Sequence, residues 1–406
     1  MRKILLLIPQ NVIPPNDGGK TGIYMPMQML AKKYAVKAVI FCSAGEGFNA
    51  SDYEALDVEA IAAEVNKKDS PITLLANILS HQPFKFSKYY KRRHLYLIKK
   101  ICRKWQPDII ICHHAHLAEY CRQLKKISPK TQLILREHNV EYLLVQQYYK
   151  LQQNIFLKNI SYWQYQKTKR YERKCWAWFD NVVFISDSDF KQFDSATNTK
   201  ACVIYDGPGN NWSQRNAAIK KNAFLFTGNV SSYQNKKNLE NFIRKVWIPW
   251  KQQQPASAGF ELWITGNKSY DQVLNALQLN TKQATELQIK ILGFVDDLAA
   301  VIAESRFFLS PTLIGAGIRI KVLEAMREGA CVFLTMKDLE MCGVLKDREN
   351  VLVYSDTDSF NSQFTLMQQN AALYNHITVN AQNTAIDNFS WSIFFEKLQL
   401  LFINNG

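Results

Sequence analysis

The chain has 406 residues, 47% of them apolar and 12% aromatic, and a formal net charge of +15. That length favours two domains over one, and the composition excludes a chain dominated by disorder. No apolar run reaches the roughly 18 residues of a spanning helix. The eight cysteines contain no CxxC pair and give no zinc site, while the charge calls for an anionic partner.

The opening MRKILLLIPQNVIPP has only a short apolar stretch, Ile4 to Ile8, with no small-residue cleavage site after it. It reads as a buried first strand, and the protein is expected in the cytoplasm with reduced thiols. VKAVIFCS, DIIICHH and QLILREH repeat the pattern, each an apolar run ending in polar residues. Continuous rather than alternating hydrophobicity predicts a parallel sheet covered on both faces. Helices are expected between the strands at 24–34, 95–105 and 115–127, the alternation of a doubly wound α/β domain.

Segment 84–105 holds nine Lys/Arg, six aromatics and no acid. It reads either as a solvated basic helix face or as a docking surface for an anionic membrane or lipid phosphate. Nucleic acid has only the charge in its favour and is not expected as a partner. A long helical region covers about 141–180, and its amphipathic run 142–179, with Tyr148, Tyr149, Tyr162, Trp163 and Tyr165, is read beside 84–105 as a candidate membrane face. NVVFISDSD restores the strand pattern, with Ser186 and Asp187 placed to cap a helix starting near Asp189. The Asp187–Asp189 pair is read as this cap rather than as a metal-binding motif. NNWSQRNAAIKKN, 210–222, is the linker candidate.

Six further strand-like runs follow: AFLFTGNV, FELWITGN, IKILGFV, FFLSPT, ACVFLT and VLVYS. The expected organisation is therefore two Rossmann-like domains, 1–215 and 216–385. A final amphipathic helix within 386–406 is expected to pack back on the first. Ligands of open parallel sheets bind beyond the carboxyl ends of the strands, so a cleft lined by both sets of strand ends is the expected site.

The sharpest motif is SPTLIGAGIRIKVLEAMREGACVFLT, 310–335. A strand ends in the loop Gly315-Ala316-Gly317, which opens directly into a helix. Glycines allow close approach of an anion, and the helix start offers unpaired amides and a positive dipole end. Arg319 and Lys321 add charge. Glu324, about one and a half turns into the helix, is placed to bind ribose hydroxyls. The alternative is a plain helix start with solvated charges.

GAGIRIKVLEAM, with GFVDDL upstream at 293–298, resembles the donor-binding signature of glycosyltransferase family 4, the group 1 GT-B transferases. IPPNDGGKTG, REHNVEY, YERK with FDNVVFISDSD, FTGNVSSYQNKKN and NFSW resemble further motifs of that family, in the same order. The resemblance implies a GT-B fold, two Rossmann-like domains facing across a cleft. It also implies a retaining transfer from a nucleoside diphosphate sugar, UDP or GDP, to a glycan or lipid-linked hydroxyl, with no cofactor or metal. Glu324 matches the family's ribose-binding glutamate, the second acid of its E-x7-E motif. The first acid is missing, its position being Ala316.

The resemblance also places the amides of Ile318 and Arg319 on the donor phosphates, Val295 and Gly317 at the donor, and Gly18, Gly19 and Lys20 near the donor phosphate and sugar. Many members carry Arg directly after Gly228 and Lys seven residues beyond that glycine. Here those positions are Asn229 and Asn235, which leaves Lys236 or Lys237, with Arg319, to supply charge.

His138 ends a strand and matches the family's histidine near the reacting sugar; the alternative is a strand-end histidine bonded to backbone. Glu137 and Glu141 flank it, placed either to raise its pKa or to cap the next helix. His138, Glu324 and Arg319 form the expected catalytic set. His113, His114 and His116 read as cleft-lining or structural groups, His114 with Lys20 toward the acceptor. They are not read as a metal site, because adjacent residues diverge in a continuing strand and no carboxylate cluster accompanies them. Competing readings are a catalytically weak nucleotide-sugar-binding protein and a GT-B sugar-nucleotide epimerase.

Overall fold

A computed structural model describes residues 1–67, 77, 80–194, 199–208, 220–266, 269–315 and 319–403. The chain divides into two compact units, Met1–Asp206 with Trp391–Gly406, and Gly207–Ser390. Each is built on one wholly parallel sheet.

The first unit has seven strands: β1 (Lys3–Ile8), β2 (Ala35–Ile40), β3 (Val58–Ala62), β4 (Ile109–His113), β5 (Gln132–Glu137), β6 (Asn181–Phe184) and β7 (Lys200–Val203). Their order in the sheet is β3-β2-β1-β4-β5-β6-β7. The apolar runs are continuous because both faces are covered: Leu5 and Leu7 join one core cluster, while Ile4, Leu6 and Ile8 join the other. Edge strand β3, VEAIA, was not foreseen. It is short and only partly buried, so it lacks the signal of its neighbours.

Helix Gly18–Ala31 begins well before the predicted residue 24, because Asp17 accepts the Lys20 amide at 2.9 Å and starts the first turn. The predicted helical region after β5 is two helices, Glu141–Leu151 and Ile155–Trp176. The second is capped by Asn154, whose side-chain oxygen accepts the amides of Phe156 and Leu157.

The last helix, Trp391–Ile403, belongs to the first unit. Its Trp391, Phe394, Leu398 and Phe402 are buried in the same cluster as Ile4, Leu6 and Leu30. Each such side chain contributes about 2 kcal/mol on burial. Arg2 donates to the Phe402 carbonyl at 2.7 Å, and Gln132 to that of Leu401 at 3.0 Å.

The second unit has six strands: β8 (Lys221–Thr227), β9 (Glu261–Thr265), β10 (Ile289–Gly293), β11 (Ser305–Ser310), β12 (Cys331–Thr335) and β13 (Leu352–Tyr354). They lie in the order β10-β9-β8-β11-β12-β13, and every expected run is a strand. Much of the chain's aromatic content fills one core here. Phe224 lies at its centre, its ring stacked on Phe307 at 4.7 Å and edge-on to Trp247, Trp250 and Phe333.

Candidate functional site

In the second unit the predicted donor residues gather at the carboxyl ends of β8 to β11. β10 ends on Gly293, and β8 and β9 are each followed directly by a glycine, Gly228 and Gly266. Gly266 has φ +104°, and a Cβ there would lie 3.0 Å from the Gly228 carbonyl carbon. The Gly228 amide donates to Thr265, and that of Gly266 to Gly293. Bare backbone therefore stacks across three strand ends, a glycine repeat that the sequence itself displays. Val295 is half-buried in the loop after β10. That loop ends at Asp297, which caps the next helix through the Ala300 amide.

Asn235 lies in the first turn of helix Tyr233–Phe242 and reaches back to the preceding loop. Its side-chain amide donates to the Asn229 carbonyl at 3.0 Å and closes the turn after Gly228. Of the neighbouring lysines, Lys237 pairs with Glu240 at 3.1 Å. Lys236 makes no ion pair among the described residues and is the loop's available cation.

The loop after β11 is held by a residue that sequence reasoning missed. The Asn238 side chain accepts the amides of Leu313 and Ile314 at 3.0 and 2.8 Å and donates to the Ile314 carbonyl at 3.0 Å. Gly315 follows with φ +149°, and a Cβ there would collide with the Arg319 guanidinium. Ala316, Gly317 and Ile318 lie outside the described residues.

Arg319 turns inward. Its Nη2 donates to the Ile314 carbonyl at 3.2 Å, and its Nε lies 3.8 Å from Asp338 Oδ1. Burial pushes the Asp338 carboxyl up, against the pull of Arg319 and of the Thr312 and Ser310 hydroxyls. The side chain thus faces its own domain, and the expected phosphate contact would have to come from its backbone amide.

Helix Ile320–Arg327 starts at Arg319 with no side-chain cap. Glu324 lies on it, 3.1 Å from the Lys321 ammonium. The oxygen that faces Lys321 is Oε2, which is buried and whose contact lies outside hydrogen-bonding geometry. A separate cavity of about 490 Å³ opens beside Thr312, Met336 and Tyr354, and none of the predicted donor residues lines it.

In the first unit the strand ends collect histidines. β4 stops at His113, and His114 takes φ +66°, so the two side chains do not diverge as a continuing strand would make them. Both meet His138: His113 Nδ1 lies 3.0 Å from its Nε2, and the His114 ring stacks on it at 4.5 Å. His116 stacks on Tyr89 at 5.2 Å.

Glu141 joins from the next helix, 3.7 Å from His116 and 3.3 Å from Lys85. A carboxylate does therefore accompany the histidines, and His114, His116 and Glu141 offer ligand atoms within 4.8 Å of one another. Burial opposes the Glu141 charge, yet Lys85 and the two histidines bring its pKa down to about 2.

The expected upward tuning of His138 is reversed. Burial first, then His114, Arg136 and His113, hold it well below the ordinary range, so its imidazole is neutral. His114 is likewise lowered to about 3 by burial and by His116. Glu137 instead accepts from Trp176 Nε1 at 3.0 Å and the Ala115 amide at 3.1 Å, and burial raises it to about 8. The helix after His138 is capped by neither flanking acid but by Glu172, which accepts the amides of Glu141 and Tyr142.

Gly18 and Gly19 form the exposed first turn of their helix, with Lys20 half-buried. One turn on, the Gly22 carbonyl and the buried Asp206 carboxylate both accept from the buried Arg136 guanidinium, which lies over the Phe394 ring. Ser186 accepts the Asp189 amide, so the DSD segment is a helix cap.

Residues 221–370 match the family model described as glycosyl transferases group 1. No functionally curated protein matches the chain. Among solved structures, Alr3699/HepE of Anabaena in complex with UDP is 14% identical, with a TM-score of 0.66 over 99% of both chains. WaaG, described as a glycosyltransferase involved in lipopolysaccharide biosynthesis, is 13% identical, with a TM-score of 0.62 over 98% of this chain and 99% of that one. Sucrose-phosphate synthase of Thermosynechococcus elongatus is 12% identical, with a TM-score of 0.65 over 99% and 98%. At these identities the likeness establishes the fold, and it covers both units. The chain thus has the GT-B fold, and its residues 221–370 are similar to the group 1 glycosyl transferases.

Proposed function

We propose that the protein is a retaining, metal-independent glycosyltransferase. It moves a sugar from a nucleoside diphosphate donor, UDP or GDP, to a hydroxyl of a glycan or lipid-linked acceptor. The setting is assembly of a bacterial-type surface polysaccharide or lipopolysaccharide, on the cytoplasmic side of a membrane. The observation that carries this reading is Glu324, whose buried Oε2 faces the Lys321 ammonium at 3.1 Å outside hydrogen-bonding geometry, on a helix whose first turn has no side-chain cap. A ribose hydroxyl satisfies the one and a diphosphate the other. HepE in complex with UDP, and WaaG in lipopolysaccharide biosynthesis, support the donor and the setting.

Negative charge develops on the leaving diphosphate, and preorganised amides with Lys236 and Lys321 stabilise it without a divalent ion. Three buried carboxylates around the histidines of the first unit are already engaged: Glu137 by Trp176, Glu141 by Lys85, Glu172 by backbone amides. These three are not free to act as a covalent nucleophile, and the transfer is read as a front-face displacement with a donor phosphate oxygen taking the acceptor proton. His138, held neutral, serves as a hydrogen-bonding group at the acceptor, beside His114.

The test is a thermal-shift panel of UDP-, GDP- and ADP-sugars, followed by calorimetry of Glu324→Ala. One donor class should raise the melting temperature, and the variant should bind it at least about tenfold more weakly. A panel without any shift, or unchanged affinity in the variant, removes the assignment. Turnover should persist in chelator; an absolute need for a divalent ion would defeat the metal-independent mechanism.

A further inference from the structure

Eight of the twenty large apolar side chains exposed among the described residues fall within 148–163, at the tip of the helical hairpin Glu141–Leu151 and Ile155–Trp176. Phe156 is 77% exposed and Ile155 62%, with Tyr148, Leu151, Leu157 and Trp163 also uncovered. The base of the hairpin is the opposite: Tyr142, Tyr165 and Trp176 are buried, and Glu172 ties the two helices together. The tip is therefore a fixed projection and not a loose end. Monomeric soluble proteins rarely expose so contiguous an apolar surface without a use for it.

Charge identifies the occupant. Residues 142–171 contain Lys150, Lys158, Lys167, Lys169 and Arg170 and no acid. A second copy of the chain would set these cations against their own kind. An anionic bilayer surface satisfies both features at once, with apolar side chains in the headgroup boundary and ammonium groups on lipid phosphates. No described helix is long and apolar enough to cross a membrane, which leaves interfacial docking.

The basic segment 84–105 is a different surface. Helix Arg92–Trp105 uses His94, Ile98 and Cys102 in the core, and Tyr96 is its only strongly exposed large apolar residue. It offers charge without an insertable face.

We propose that the hairpin tip, led by Ile155 and Phe156 and flanked by Lys150 and Lys158, is the element that docks this protein on an anionic membrane surface. The proposal stands on the hairpin alone and holds whether or not the chain transfers sugar.

Vesicle flotation tests it, using phosphatidylcholine with and without phosphatidylglycerol. The protein should float with the anionic vesicles and be released by salt. Ile155→Ser with Phe156→Ser, and separately Lys150→Glu with Lys158→Glu, should each lower recovery at least about tenfold. Both should leave the melting temperature and donor binding unchanged, since the altered side chains are exposed. Lys99→Glu with Lys100→Glu, on the other basic helix, should leave most of the flotation intact. Equal flotation on both vesicle types, or full recovery of the tip variants, overturns the proposal. So does a dimer in solution that the serine variant converts to monomer, because a second copy would then cover the tip.

Discussion

The carbonyl of Gly22 accepts a hydrogen bond from Arg136, although Gly22 lies inside a helix. The reason is Pro26, four residues on, which has no amide hydrogen to give it. The freed acceptor and the Asp206 carboxylate together satisfy a guanidinium that is buried on the Phe394 ring. Two apparent helix-breakers thus serve one buried cation at the strand ends of the first unit.

This makes Gly22 intolerant of a side chain. A Cβ there would lie 2.4 Å from Asp206 Oδ2, and that oxygen belongs to a buried ion pair that cannot yield. Alanine improves helix propensity by about 1 kcal/mol, but overpacking costs about 1–3 and breaking the pair costs more. Gly22→Ala should therefore lose about 2 kcal/mol or more in urea unfolding. Gly19→Ala, exposed and with its nearest neighbour at 3.4 Å, should gain a few tenths to 1 kcal/mol. Equal stability of the two variants would refute this account of Gly22.

The second unit makes a parallel use of Arg319 and Asp338. Asp338→Asn leaves a mostly buried guanidinium without its counter-charge, which should cost about 3 kcal/mol and weaken donor binding as the loop at Gly315 loosens. Pairing Arg319→Met with Asp338→Leu should restore most of the stability without restoring donor affinity. Chemical denaturation and calorimetry separate the two effects. A single variant with normal donor affinity would show that the ion pair does not position the loop.

The first unit should have a stability optimum with two differently caused flanks. His114 titrates at about 3 in the folded chain against 6.5 unfolded, so its neutral form is favoured by folding. The unfolded chain binds more protons between those values, and stability falls as pH drops from about 6.5 toward 3. Glu137 is raised from 4.5 to about 8, so its contribution is present at low pH and lost as pH climbs through that interval. His114→Asn should flatten the acid flank and Glu137→Gln the alkaline one, in denaturant titrations across pH. Parallel pH profiles for wild type and both variants would exclude this origin.

Much of the fold was legible in the sequence, because a strand buried on both faces must be apolar throughout. That pattern is local, and it located β1, β2, β4, β5 and β6 and all six strands of the second unit. β3 escaped because an edge strand need not be continuous in hydrophobicity. The placement of Gly315, Arg319 and Glu324 around a helix start was also local and could be read from spacing.

What depended on residues far apart in the chain could not be read this way. Nothing within a few positions of Arg319 shows that it faces Asp338, or that Asn238 holds the loop it follows. Nothing near His138 shows that His113, His114 and Arg136 surround it and keep it neutral, and the flanking acids suggested the reverse. The apolar face of Trp391–Ile403 requires a partner surface, but which side chains form it, with Phe394 beneath Arg136, follows only from tertiary packing. Periodicity determines which side of an element is buried. The burial, charge and direction of each site residue follow from which elements the chain brings together.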